Sequence, residues 1–150
     1  MRFRLKTTRI IWLFPIAIFF SVVIVFFGEN YHLNKTVREI SLRLVQIRRL
    51  SRTREIDYKV VFCKEHYFID YFDKDEESWK RHIKSKYHNG VLSELDGVEL
   101  IFSKGRFKDY RLKEREGKIF KYVIINFYCP KSPKKKAIIF YRQGDWKVLI

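Results

Sequence analysis

The sequence is poor in the residues and motifs that usually mark an enzyme. It has six glycines and two cysteines in 150 residues, with no GxSxG nucleophile motif, no HExxH metal motif and no glycine-rich phosphate loop. Its four histidines do not cluster along the chain. We therefore expect a protein that acts by binding, without catalytic residues, a metal, a cofactor or a small-molecule substrate.

Acidic residues are also absent from the first 28 positions, where a long apolar run takes their place. Residues 10–27 carry no charge, and 18 residues at about 1.5 Å each are just long enough to cross a bilayer core as a helix. Residues 1–9 contain four basic residues, whereas residues 28–34 contain one acidic residue and no Lys or Arg. This asymmetry predicts a single span of the cytoplasmic (inner) membrane, with the N-terminus in the cytoplasm and the C-terminal domain periplasmic or extracellular.

Two other interpretations of the apolar run remain open, a removed signal peptide and a buried helix of a soluble protein. The bulky residues Val25, Phe26 and Phe27 at its end disfavour the small-residue cleavage site of a signal peptide. Pro15 lies inside the run, and membrane helices tolerate proline better than soluble ones. We therefore expect an anchor that is uncleaved or cleaved at an unconventional site.

Positive charge exceeds negative charge along the rest of the chain. Residues 29–150 carry 28 Lys and Arg against 17 Asp and Glu, a net charge of +11, which attracts polyanions. A lysine-rich surface without a specific partner is the alternative interpretation. Basic residues near Tyr141 and Trp146 resemble a nucleic-acid contact face, although lysines also protect exposed sheet edges. They are Lys131, Lys134, Lys135, Lys136, Arg142 and Lys147.

The cysteine pair has two open interpretations. Cys63 and Cys129 both lie in segments that read as strands, and in an exported domain they can form a disulfide. That bridge would span 66 positions and contribute about 4 kcal/mol on a loop-entropy basis. Two buried free thiols are the equal alternative.

Hydrophobic periodicity predicts a helix followed by strands. Residues 33–54 repeat apolar positions at intervals of three and four, which predicts an amphipathic helix continuing from the membrane segment. Its apolar stripe consists of Leu33, Val37, Ile40, Leu44 and Ile47.

From residue 57 onward the apolar period changes to two, which is typical of strands. Residues 79–87 are expected to form a short helix or an irregular loop, and turns are expected at Asn89-Gly90, Asp96-Gly97 and residues 143–145. The fold class predicted is α+β, a long N-terminal helix packed on an antiparallel sheet of about six strands. The strands are expected at residues 58–63, 66–72, 98–102, 119–128, 137–141 and 146–150.

Three segments of the sequence are similar to a known family. An arginine- and leucine-rich helix end at residues 42–50 leads into the strand 60–63, residues 97–102 begin a strand with Gly-Val, and residues 138–148 form an apolar strand, a glycine turn and a closing strand. This layout resembles the H-type minor pseudopilins of type II secretion and the related T-type minor type IV pilins. The chain lacks the prepilin cleavage motif of that family, because no glycine or acidic residue precedes Gly28.

The resemblance implies a pilin-like fold and a structural role. It divides the chain into a basic leader (1–9), a transmembrane helix (10–27), an amphipathic helix that continues the anchor (28–56) and an antiparallel β domain (57–150). It implies assembly with other pilin-like subunits through the N-terminal helix, in the lipid bilayer, within a secretion or pilus machine. The alternatives are a membrane-tethered DNA-binding minor pilin for DNA uptake and a single-pass membrane protein of other function.

Overall fold

The computed structural model describes residues 7–112, 122–130, 132–141 and 145–149. Within these ranges the chain forms one helix followed by nine strands. Helix α1 spans Thr7–Arg54, and the strands are β1 (Tyr58–Phe62), β2 (His66–Asp73), β3 (Ser78–Lys86), β4 (Leu92–Ser93), β5 (Val98–Ser103), β6 (Arg106–Leu112), β7 (Tyr122–Tyr128), β8 (Lys135–Tyr141) and β9 (Trp146–Leu149).

Helix α1 joins the apolar run to the amphipathic segment without a break. It is 48 residues long, about 72 Å at 1.5 Å per residue, and it includes both Pro15 and Gly28. The predicted apolar stripe is confirmed, because each of its five residues is at most 3% exposed. Thr36, within the stripe, and Ser51, one turn beyond it, are also buried, so the second half of the helix lies on the body of the protein along most of its length.

The strands form two antiparallel sheets. The first has the order β3-β2-β1-β5-β6, and the second has the order β4-β7-β8-β9. The predicted α+β class is therefore confirmed, whereas the prediction of one sheet of about six strands was wrong. The difference arises from the strands β3, β4 and β6, which are polar or very short and pair at sheet edges.

The strand β3 corrects the expectation of a short helix or irregular loop at residues 79–87. It pairs with β2 from Asp73↔Ser78 to His66↔Lys86, with one irregularity beside Ile69. As an edge strand it is hydrogen-bonded to one neighbouring strand, β2, and most of its side chains are at least partly exposed. Its lysines and arginine suit such an edge, because charged side chains discourage pairing with another chain.

Two predicted hairpins are confirmed. The β1–β2 hairpin turns at Lys64-Glu65, where the Cys63 amide donates a 2.9 Å hydrogen bond to the His66 carbonyl. The β8–β9 hairpin pairs Ala137 with Leu149 and Phe140 with Trp146, while Gln143 and Gly144 of its predicted turn lie outside the described residues.

One hydrophobic core joins the helix to both sheets. The ring of Phe62 in β1 lies 6.3 Å from that of Phe127 in β7 and 6.1 Å from that of Phe140 in β8. The helix residues Leu33 and Leu44 belong to the same buried cluster. The first sheet, the second sheet and the second half of α1 are therefore packed as one unit.

Candidate functional site

The first half of helix α1 exposes large apolar side chains that nothing in the described chain covers. Phe14, Ile18 and Phe27 are between 60% and 69% exposed, whereas the apolar stripe of the second half is buried. Among the described residues, α1 is also the one helix that is long and apolar enough to cross a membrane. Exposed apolar surface of this extent marks an interaction site for a membrane or another protein.

The second half of α1 also has an exposed side, which we call the outer face. Tyr31, Leu42 and Val45 lie on it with at least half of each side chain accessible, and Lys35 and Arg38 lie between them. These five positions follow one another at intervals of four and three, so they form one stripe along the helix. The outer face continues the exposed apolar surface of the first half toward the β domain.

The predicted basic face is divided in the structure between different surfaces. Lys135 and Lys136 are adjacent on β8 and therefore point to opposite sides of the second sheet. Lys147 lies on β9 opposite Ile139, on the same side as Lys135. Lys134 is exposed just before β8, and Lys131 and Arg142 lie outside the described residues.

Lys135 is also partly neutralised by an acidic neighbour. Its Nζ forms an ion pair with Glu94 Oε1, and the Asn126 side-chain amide donates a 2.8 Å hydrogen bond to the other carboxylate oxygen. Lys135 and Asn126 together lower the pKa of Glu94, and the bond to Glu94 raises the pKa of Lys135. This arrangement connects Glu94, just after β4, to β7 and β8 and leaves less positive charge for an external partner.

Both cysteines are free thiols in the structure, which is one of the two interpretations that the sequence left open. Cys63 follows β1 and is partly exposed, while Cys129 follows β7 and is buried with its Sγ 3.7 Å from the Glu29 carbonyl oxygen. Burial raises the pKa of both thiols, with a further contribution from Asp96 at Cys63 and from Glu29 at Cys129. A disulfide between them stays a prediction for the oxidised protein.

A basic cleft lies where the end of α1 meets the β5–β6 turn. It encloses about 560 Å³. Four arginines and one lysine line it together with Val45 and Gly105, namely Arg48, Arg49, Arg52, Lys104 and Arg106. One wall of the cleft is the end of α1 and the other is the β5–β6 turn, and the two are separated by about fifty positions in the sequence. For this reason none of these residues belonged to the predicted basic face.

The β5–β6 turn is held against the helix by hydrogen bonds. Lys104 and Gly105 have φ values of +49° and +74°, as expected at the two central positions of a type I′ turn. The Gly105 amide donates a 2.9 Å hydrogen bond to Ser51 Oγ, and that hydroxyl donates to the Arg48 carbonyl at 3.1 Å. The turn is therefore fixed in position relative to α1.

Arg48 forms part of the structural frame of the cleft. Its Nε donates a 3.0 Å hydrogen bond to the Gly105 carbonyl, and its Nη1 lies 3.1 Å from Asp145 Oδ1. Its guanidinium also lies over the Trp146 ring, 5.7 Å from the centroid. Arg48 thus connects the helix, the β5–β6 turn and the second sheet.

The other four cations of the cleft face solvent. Arg49, Arg52, Lys104 and Arg106 are exposed, and none of them forms an ion pair with another residue in the described ranges.

Two features of the sequence point to this cleft. One is a pair of arginines three positions apart in the last turns of a helix, and the other is a Lys-Gly-Arg turn between two strands.

No protein-family model, curated protein or solved structure matches this chain.

Proposed function

We propose that this protein is a membrane-anchored, pilin-like structural subunit, of the minor pseudopilin type, that assembles with similar subunits in a secretion or type IV pilus machine. The observation that carries the proposal is the continuous helix α1, whose exposed apolar half leads directly into a half packed under two sheets. Such a helix holds the β domain at a defined position relative to the membrane.

The proposed anchor comprises residues 10–27. A helical span of 18 residues covers about 27 Å, close to the thickness of a bilayer core. The basic residues before it favour an N-terminus in the cytoplasm and a β domain in the periplasm or outside the cell. The proposed location is thus the cytoplasmic membrane, crossed once.

Assembly proceeds by lateral contact between helices. In lipid, apolar helices associate through side-chain packing rather than through the hydrophobic effect. The outer face extends this contact beyond the membrane, because Leu42 and Val45 are exposed on the same helix and are flanked by basic residues. The partners proposed are other pilin-like subunits and the bilayer, and the protein acts without a small-molecule substrate.

The anchor is tested by membrane extraction and a topology reporter. The full-length protein should remain in the membrane pellet after carbonate washing and enter solution only with detergent. A reporter that is active only outside the cytoplasm, fused after Ile150, should be active. Release of the protein by carbonate would contradict the anchor. Activity of a second reporter, one that works only in the cytoplasm, at the same fusion site would contradict the orientation.

Assembly is tested by photo-crosslinking in intact membranes. A photoreactive amino acid at Leu42, on the outer face, should yield adducts with pilin-like subunits or with further copies of this chain. The same amino acid at Lys74, an exposed residue of the β2–β3 turn, is the control for random collision. Adducts of equal yield from both positions, or none from Leu42, would contradict a specific helix-mediated assembly.

A further inference from the structure

We propose that the basic cleft binds the phosphodiester backbone of a nucleic acid. This function goes beyond structural assembly, and it uses residues different from the basic face that the sequence predicted. The groups proposed to contact phosphate are Arg49 and Arg52 on the helix and Lys104 and Arg106 on the facing turn.

The first argument is the charge of the cleft. Arg49 and Arg52 are three positions apart on α1 and therefore neighbours on its surface, and Lys104 and Arg106 lie across the same cavity. Like charges this close repel one another, and among the described residues no acidic side chain pairs with these four. A ligand with several closely spaced negative charges relieves that repulsion.

The second argument is the fixed geometry of the two walls. The bonds among Ser51, Arg48 and Gly105 hold the turn against the helix, so the four cations are presented on a rigid frame. Three of the four are arginines, whose planar guanidinium groups bind phosphate oxygens through two parallel hydrogen bonds. Because cations lie on both walls, successive phosphates of one strand can be contacted together, as in proteins that bind strands without reading their sequence.

The third argument is the position of the cleft, and it rests on the proposed anchor. Arg49 and Arg52 follow Phe27 by 22 and 25 residues, so they lie about 33–38 Å along the helix axis from the end of the apolar run. Charges are screened over about 8 Å at physiological salt. With the helix upright, lipid headgroups of the anchoring membrane are out of range, and the ligand comes from the solution around the β domain.

The test compares two variants of the full-length protein in a non-ionic detergent, each lacking three positive charges. The cleft variant carries Arg49→Gln, Arg52→Gln and Arg106→Gln, all exposed, and it leaves Arg48 and Ser51 intact. The control variant carries Lys134→Gln, Lys135→Gln and Lys136→Gln, which removes three of the six cations of the basic face predicted from the sequence. The probes are fluorescent 20-residue oligonucleotides, single-stranded and duplex, measured by anisotropy across a salt series.

The wild-type protein should bind at least one probe, with an affinity that falls steeply as salt increases. We expect the cleft variant to bind about tenfold or more weakly and to reduce the salt slope by about two to three, because each lost phosphate contact accounts for slightly less than one unit. The control variant should stay within about twofold of the wild type. Circular dichroism of both variants should match the wild type, since the substituted side chains lie at the surface or at a strand end.

Several results would overturn the proposal. Equal losses in the two variants would show that overall charge, and not the cleft, attracts nucleic acid. Unchanged binding by the cleft variant, or no binding of either probe by the wild type at about 150 mM salt, would exclude the site. If polyglutamate of the same charge binds as tightly as the oligonucleotides, the cleft is a site for acidic proteins and not for nucleic acid. None of these results depends on membrane assembly, so this proposal and the structural role fail separately.

Discussion

The contact between Gly105 and helix α1 determines the shape of the basic cleft. Gly105 adopts a φ of +74°, and a Cβ atom at this position would lie 3.0 Å from Arg52 Cβ and 3.4 Å from the Arg48 carbonyl oxygen. Both the backbone conformation and the closeness of the helix therefore favour glycine at this position.

A matched pair of alanine substitutions separates these two requirements. Gly90 has a nearly identical φ of +76°, but a Cβ atom there would meet nothing within 4 Å. We expect Gly90→Ala to lower the free energy of unfolding by about 1–2 kcal/mol through backbone strain, and Gly105→Ala to lower it by about 1 kcal/mol more through crowding. Urea unfolding in non-ionic detergent measures both. Equal losses would show that the helix gives way to the added methyl group.

The two thiols provide a prediction about pH. Because burial raises the pKa of Cys63 and Cys129, a smaller fraction of each is thiolate at a given pH than in an unfolded chain. Alkylation by iodoacetamide at pH 8 should therefore be slower in the folded protein than in urea, and it should accelerate as the pH rises above 9.0, the ordinary pKa of a thiol. Mass spectrometry counts the labels.

The same measurement decides whether the cysteines are bridged. If urea without reductant still leaves both sites unlabelled, and reductant restores labelling, the chain contains the predicted disulfide. Labelling of both sites in urea without reductant would show free thiols in that preparation.

Helix α1 has two leucines in its second half whose environments are opposite. Leu44 is 1% exposed in the core, whereas Leu42 is 62% exposed on the outer face. We expect Leu44→Ala to lower the free energy of unfolding by about 2–5 kcal/mol, because it removes buried apolar contacts and leaves a cavity. Leu42→Ala should change it by less than about 0.5 kcal/mol. A similar loss from both substitutions would contradict the helix orientation described here.

The edge strands show how tertiary context overrides local pattern. The strand β3 carries the sequence SWKRHIKSK, which has too few apolar residues to be recognised as a strand by itself. It becomes a strand because β2 supplies an antiparallel partner along its whole length. Strand propensity depends strongly on such neighbours, and they are not visible in a local stretch of sequence.

The packing of both sheets on one helix predicts that the β domain unfolds as one unit. Trp79 lies in the first sheet, and Trp146 lies in the second sheet with its ring 6.3 Å from that of Phe102 in the first. Two variants each keep one of these tryptophans, with Phe replacing the other one and Trp12. Both variants should unfold at the same urea concentration when followed by fluorescence, because Phe62 of the first sheet packs against Phe127 and Phe140 of the second. Separate midpoints would show that the two sheets form independent units.

Local pattern alone accounts for the elements with strong periodicity. The stripe from Leu33 to Ile47 and the β1–β2 hairpin are recognisable because apolar residues recur at the period of a helix or a strand within one segment. The apolar run of residues 10–27 is recognisable by its length and its lack of charge. The α+β class follows from their order along the chain.

Tertiary structure decided the features that depend on pairs of distant residues. The division into two sheets depends on which strands become neighbours, and the weakness of the predicted basic face depends on Glu94 lying beside Lys135. The basic cleft exists because Ser51 binds the amide of Gly105, 54 positions away, and thereby brings the arginines of the helix opposite the Lys-Gly-Arg turn. A local period carries no information about such encounters, because they are set by how the whole core packs.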